Sequence, residues 1–326
     1  MRTSSLLVAG LFCAALWASA AEPEIVSVEK VWDKGGHNAF TDLVRFDDRW
    51  FLTFREADGH VKGDGSIRVL TSRDGEKWDS TGLLTEPGVD LRDPKISVTP
   101  DNRLMLLMGG SVYRDGKYVT RRPWVAFSSD SGATWSKPQE ILHEGDWLWR
   151  MAWHDRSGYG ASYLRRGGPD GPMGCTLYKT EDGVGYEKVV DWDIVGCTET
   201  TIRFELDGTM IATVRSEGDP KMGYIGRSRP PYKHWTWKQA GQRFGGQDFV
   251  ILPNGQMWTG SRHYGDKQTT VLARMTLDSY EPVLTLPSGG DTSYPGMVYH
   301  DNLLWMSYYS SHEGKTNIYL AKIRLR

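Results

Sequence analysis

Short apolar runs broken by Asp, Asn, Gly and Ser recur along almost the whole chain, and no stretch sustains the period of an amphipathic helix. Residues 25–31 read as a first strand. Six groups of strand-like runs follow. The first covers 50–54 and 67–70 after an entry near Phe40; the second 95–98, 104–108 and 124–127; the third 150–153, 160–164 and 175–178. The fourth takes 200–204, 210–214 and 223–225; the fifth 248–252, 257–259 and 270–273; the last 296–299, 303–308 and 317–321. In five groups a polar pair separates two runs, at Asp47-Asp48, Asp101-Asn102, Asp207-Gly208, Asn254-Gly255 and Asp301-Asn302, as hairpin chemistry requires.

A second motif punctuates the groups. Ser128-Ser129-Asp130-Ser131-Gly132-Ala133-Thr134-Trp135 is a polar turn in which the aspartate can fold onto nearby N–H groups, the glycine can take a conformation closed to other residues, and the tryptophan can pack between sheets. The same grammar returns at Ser72-Arg73-Asp74-Gly75-Glu76-Lys77-Trp78 and, with tyrosine closing, from Thr180 to Tyr186. A degraded copy runs from Ser228 to Trp235. Anchors about fifty residues apart are expected of propeller blades. The series resembles the Asp-box repeat of the sialidase-like β-propellers. The expected fold is all-β, a six-bladed propeller of four-stranded antiparallel blades, with the strand at 25–31 completing the last blade and closing the ring.

Arg2, an apolar run over 6–17 and Ala18-Ser19-Ala20 read as a secretory signal peptide over 1–20, leaving 21–326 as one propeller domain that is secreted or periplasmic and free of the membrane after cleavage. With 39 basic and 41 acidic residues, charge suggests no nucleic-acid partner. Beyond the leader only Cys175 and Cys197 remain, open to either a disulfide or two buried thiols, and neither stands in a metal-ligand spacing; no metal or cofactor is expected. Fourteen tryptophans fit both blade-closing turns and a sugar-stacking surface.

Polar residues at the ends of the innermost strands and of their neighbours converge at one end of a propeller axis. Arg55, Arg92-Asp93-Pro94, Arg150, Glu199, Arg215, Arg262 and Tyr294 all hold such places. Converging guanidinium groups suit an anionic substrate, since each binds a carboxylate bidentately and keeps its charge. The alternative for any single arginine is an ordinary ion pair.

Sialidases of this propeller class carry an acidic residue opening the fourth blade and an arginine ending its next strand, which Glu199 and Arg215 resemble. Another arginine in blade five is matched by Arg262, and a tyrosine opening blade six by Tyr294. Asp93-Pro94 resembles their substrate-contacting Asp-Pro. The resemblance implies Tyr294 as nucleophile, Glu199 as its base, and Arg215 and Arg262 as carboxylate ligands. It implies an acid in the loop after Arg55-Glu56, where Asp64 is the first choice and His60 the second. Two departures stand out. Blade one lacks the family's arginine and reads His37-Asn38-Ala39-Phe40-Thr41-Asp42, and the last blade has Tyr308-Tyr309-Ser310 where the family has a glutamate. Arg55 or Arg92 is expected to supply the missing charge. The implied activity is exo-hydrolysis of a terminal acidic sugar, sialic acid first, from a glycan. A different propeller glycosidase, a lyase on uronate polysaccharide, and a non-catalytic glycan binder stay open, because propellers host many functions.

Overall fold

The computed structural model describes residues 22–61, 63–168 and 170–326, so the leader expected over 1–20 lies outside the described residues. Twenty-four strands form six four-stranded antiparallel sheets. Blade one contains His37–Phe46, Arg49–Ala57, Ser66–Ser72 and Asp79–Leu84, and blade two Asp90–Val98, Leu104–Arg114, Lys117–Ser128 and Gln139–Glu140. Blade three contains Trp147–His154, Ser157–Arg165, Met173–Thr180 and Glu187–Asp191. Blade four contains Cys197–Phe204, Met210–Ser216, Met222–Ser228 and Thr236–Gln239, and blade five Asp248–Ile251, Met257–Tyr264, Gln268–Met275 and Tyr280–Thr285. Blade six combines Thr292–His300, Leu303–Ser310 and Asn317–Arg324 with Glu24–Trp32, the earliest strand, as its outer edge. The ring is closed by pairing the two ends of the described chain, and each innermost strand touches that of the next blade, the sixth touching the first. Among the described residues there is no helix.

The period of two explains why most central strands read as nearly continuous apolar runs. Leu52 and Phe54 pack with Trp50 and Trp305 toward blade six, whereas their neighbour Phe51 packs with Leu91 and Leu104 toward blade two. Each sheet is therefore buried on both faces, which removes the polar alternation of a half-exposed strand.

The three well-formed clasps have the geometry their residues imply. Asp74 Oδ1 accepts from Glu76 and Lys77 N–H, Asp130 Oδ1 from Thr134 N–H, and Asp182 Oδ1 from Val184 and Gly185 N–H. Gly75, Gly132 and Gly183 have φ of 72°, 79° and 79°. A Cβ on Gly132 would come 2.5 Å from the Phe51 ring, and one on Gly75 2.3 Å from the Trp305 ring, so each turn is pressed against the preceding blade. Trp78, Trp135 and Tyr186 each pack partly buried on the core shared with that preceding blade. The copy from Ser228 departs: Ser228 Oγ donates to the His234 carbonyl at 2.6 Å, and Tyr232, with φ 63°, replaces the glycine. The cysteines form a disulfide, Cα atoms 5.6 Å apart, linking blade three to the innermost strand of blade four two residues before Glu199.

Candidate functional site

Register slips interrupt the innermost strands near their starts, between Ala39 and Asp42, Arg92 and Lys95, Leu148 and Met151, Cys197 and Thr200, and Ser293 and Gly296. A bulge re-aims its side chains, here toward the mouth of the axis. Phe40, Asp93 and Tyr294 stand at these bulges with φ of 62°, 47° and 52°. Bulky L-residues rarely adopt this conformation, so the surrounding ring must hold it against a local cost.

At the centre, the Tyr294 hydroxyl donates to Glu199 Oε1 at 2.6 Å. Arg215 Nη1 donates to the same carboxylate oxygen at 2.8 Å and lies 3.2 Å from the Tyr294 oxygen. Gly246 N–H donates to Glu199 Oε2 at 2.6 Å. Gly246 also makes room: a Cβ there would sit 2.4 Å from the Tyr294 ring. Arg215 is steadied in turn by Glu217, 2.5 Å from its Nε, which also pairs with Arg243. The Arg262 guanidinium lies over the Tyr294 ring, 5.2 Å from its centre, and is aimed by the Thr292 carbonyl and the Tyr309 hydroxyl.

Burial raises the pKa of Glu199, but Arg215, the Tyr294 hydroxyl and the Gly246 N–H outweigh it and hold the carboxyl below its usual range. Burial and the Glu199 charge push the Tyr294 phenol well up, against Arg215 and Arg262. At rest the pair is thus a neutral phenol hydrogen-bonded to a carboxylate, with two cations waiting where a phenolate would form. Glu217, raised by burial but drawn down further by Arg243 and Arg215, falls to about 2.

The remaining residues expected at the site divide. Arg92 crosses the Phe40 ring at 5.1 Å, 3.6 Å from Asp90, beside the place where the family's first-blade arginine is missing. Asp93 is buried, with one carboxylate oxygen lacking a hydrogen-bond partner, and its pKa is raised by that burial against the pull of Arg92 and Lys95. Arg55 is not available to a ligand: it is wholly buried, with Nε 2.7 Å from Asp90 Oδ1 and Nη1 donating to the Gly59 carbonyl. The opening residue of blade two captures it. Arg150 also differs from expectation. It lies further along the axis, donating to Asp42 Oδ1 at 2.6 Å and standing 3.5 Å from Asp248, above a cavity of about 560 Å³ whose wall includes Ile96, Met151, Arg203 and Met297. Asp64 is exposed, and among the described residues its hydrogen-bond partner is the Gly88 N–H, 3.2 Å away, rather than any member of the Tyr294 cluster.

His60, from the same loop, does reach the mouth. Its ring meets Phe40 edge-on at 5.3 Å, and Phe40 meets Tyr294 at 5.2 Å. His60 Nδ1 is 2.7 Å from Asp291 Oδ2, and His37 Nε2 is 3.0 Å from the same oxygen. Asp291 Oδ1 accepts from the Tyr309 hydroxyl at 2.8 Å. Both histidine contacts, with the Tyr309 bond, keep the Asp291 carboxyl well below the usual range despite burial. Asp291, His37, Tyr309, Gly246 and Trp149, whose ring is 5.7 Å from Tyr294, were not expected at the site. One signal was present: Asp291 precedes Tyr294 by three residues, as Asp90 precedes Asp93 and His37 precedes Phe40.

No family model and no curated protein matches the sequence. Among solved structures, a protein of unknown function from Dyadobacter fermentans matches with TM-score 0.80 at 16% identity, over 94% of this chain and 99% of that one. A Trypanosoma rangeli sialidase in complex with sialic acid matches with TM-score 0.71 at 14% identity, over 94% of this chain and 59% of its own. The chain shares the six-bladed fold of the sialidases. An α-L-arabinofuranosidase from Fusarium graminearum, bound to an iminosugar inhibitor, matches with TM-score 0.72 at 13% identity, over 92% and 98% of the two chains. At such identities what is shared is the propeller, and the chemistry must be argued from the side chains.

Proposed function

We propose that this protein is an exo-glycosidase of sialidase type, hydrolysing a terminal acidic sugar, sialic acid or a close relative, from a glycan. The observation that carries the reading is the 2.6 Å hydrogen bond from Tyr294 to Glu199, bridged by Arg215. A sugar with a carboxylate on its anomeric carbon repels a carboxylate nucleophile and accepts a neutral phenol. Glu199 takes the phenolic proton as the Tyr294 oxygen bonds to the anomeric carbon, and Arg215 and Arg262 stabilise the developing phenolate and hold the substrate carboxylate. Arg92 adds a third cation from blade two. His60, oriented by Asp291, gives a proton to the leaving oxygen and then takes one from the water that releases the sugar, while Glu199 returns its proton to Tyr294. The sequence-based preference for Asp64 as acid yields to His60, because only His60 contacts the mouth. The leader reading of residues 1–20 makes the proposed setting extracytoplasmic, in keeping with the disulfide.

The test is a panel of α-sialosides, other terminal acidic sugars and uronate polysaccharides, followed by reducing-sugar release and ultraviolet absorbance. Release of a free acidic sugar is expected, with Tyr294→Phe losing at least about 1,000-fold in kcat while KM stays within a few-fold. Unsaturated, ultraviolet-absorbing products, or full activity in Tyr294→Phe, would sink the proposal.

A further inference from the structure

Among the described residues, one group of His, Cys, Asp or Glu side chains brings three potential metal ligands together: His37, His60 and Asp291, whose ligand atoms lie within 4.8 Å of one another. We propose that these three residues bind a divalent transition ion of the zinc type, and that the bound ion inhibits the enzyme by occupying His60.

The donor set selects the ion. Two imidazole nitrogens and one carboxylate oxygen suit zinc and its neighbours, whereas calcium and magnesium want oxygen alone. The spacing suits it too. Ligands about 2.0–2.1 Å from a common ion, at tetrahedral or octahedral angles, stand roughly 2.9–3.4 Å apart. Asp291 Oδ2 is already 3.0 Å from His37 Nε2 and 2.7 Å from His60 Nδ1, and no two of the three ligand atoms are more than 4.8 Å apart, so a modest closing of the two rings about Asp291 would admit the ion. Both nitrogens address the same oxygen, as they would address one metal.

The surroundings resemble those of a supported site. Asp291 Oδ1, the oxygen facing away, is held by the Tyr309 hydroxyl, and its backbone N–H donates to Ser311 Oγ at 2.9 Å. Such outer contacts orient a ligand and tune its affinity. Among the described residues, the arginine paired with Asp291 is Arg262, 3.6 Å from Oδ1, the oxygen that the histidines do not address. His37 is nearly buried and its Nε2–H donates to Asp291 Oδ2 without the ion, while its Nδ1 has no hydrogen-bond partner; ion binding requires Nε2 to give up that proton, the neutral ring carrying it on Nδ1 instead. His60 is 47% exposed, which opens a path for the ion from solvent. Three protein ligands leave coordination positions for water.

The binding site stands on geometry alone; the inhibition rests on the proposed proton-donor role of His60. With Nδ1 committed to the ion the ring can no longer become an imidazolium, so Nε2 keeps its single proton and His60 can neither serve as the acid for the leaving oxygen nor accept a proton from water.

The experiment is titration calorimetry of the full chain, stripped with EDTA, with zinc chloride. One zinc per chain is expected, with no heat from magnesium or calcium, and a cobalt(II) visible spectrum of mixed nitrogen and oxygen ligation. His37→Ala should weaken zinc binding by about 100-fold or more. His60→Ala, at a half-exposed position that does not threaten folding, should do the same. Absence of saturable zinc binding, or binding unchanged in both variants, overturns the site and shows the three residues to be a hydrogen-bonded cluster only. On whatever substrate the panel reveals, zinc should inhibit reversibly at the concentration set by its measured affinity, EDTA should restore activity, and His37→Ala should shift half-inhibition upward by its loss of affinity. Stoichiometric binding without inhibition overturns the blocking role, and leaves the proposed hydrolytic reading to be judged by Tyr294→Phe.

Discussion

Arg55 and Arg262 sit near the ends of the second strands of blades one and five, and each faces an aspartate three residues ahead of the next blade's bulge, Asp90 or Asp291. Their fates differ. Arg55 Nε closes on Asp90 at 2.7 Å, both side chains wholly buried, while Arg262 stays 3.6 Å from Asp291 and turns over the Tyr294 ring. The difference lies in the competitors. Asp291 is drawn away by His37, His60 and Tyr309, so Arg262 is released toward the cavity, whereas Asp90 has Arg55 and the Gly65 N–H as its hydrogen-bond donors. One repeat position thus yields a structural ion pair in one blade and a poised cation in another, according to what the following blades present.

The largest effect expected from breaking this comparison is on stability. Asp90→Ala strands a buried guanidinium and should cost about 3–5 kcal/mol in urea unfolding. A cost below about 1 kcal/mol would mean that Arg55 finds another partner and that the contrast between the two arginines is false.

A third buried cation sharpens the point. Lys95 is enclosed on the axis, its Nζ donating to the Thr41 carbonyl and lying 4.9 Å from the Trp149 ring centre. Burial first, then Arg150, lower its pKa from 10.5 to about 8, against Asp42, Asp93 and Asp248. Between pH 8 and 10.5 the folded chain has released this proton and the unfolded chain has not, so the contribution of Lys95 to stability rises with pH across that window. Relative to Lys95→Met, the wild type should gain up to about 3 kcal/mol from pH 8 to pH 10.5. A flat difference would show that the axial carboxylates fully offset the burial.

Asp291→Asn should behave oppositely to Asp90→Ala. Its side chain is 29% exposed and asparagine keeps an acceptor oxygen, so unfolding should shift by less than in Asp90→Ala, yet kcat/KM should fall about 100-fold as His60 loses its orienting carboxylate. The loss should shrink for substrates with activated leaving groups, which a merely structural role would not produce. Equal losses on both substrate types would remove Asp291 as a positioning residue. The smallest effect is expected from Asp64→Asn, within about two-fold on either substrate type; a selective loss on poor leaving groups would return the acid to Asp64 and away from His60.

Much of this was legible beforehand because it is local. Clasp turns need only a few consecutive residues, and the Gly75, Gly132 and Gly183 conformations follow from the Asp-x-Gly or Asp-Gly context itself. Glu199, Arg215, Arg262 and Tyr294 were named from a resemblance to the residue order of the sialidase-like propellers, and the fold brings the four together. Arg55 was misread because its environment is set by Asp90 across a blade boundary, and Arg150 because the side chains at a bulge do not follow simple alternation. The gap at Phe40 was visible, but not that Arg92 would cross its ring, nor that Tyr309 would aim Arg262.

The sequence by itself determined the strands, their hairpins, the number of blades and the polar residues that close each turn, since these depend on side-chain period and backbone chemistry over a few neighbouring residues. Only the tertiary structure decided which charges are neutralised and which are left facing the mouth. His60 and His37 meet Asp291 across 231 and 254 residues of chain, and no local pattern encodes a contact made when the ring closes blade six onto blade one. The competition for a single carboxylate, which leaves one arginine 2.7 Å and the other 3.6 Å from its aspartate, is what separates a structural arginine from one that faces the mouth.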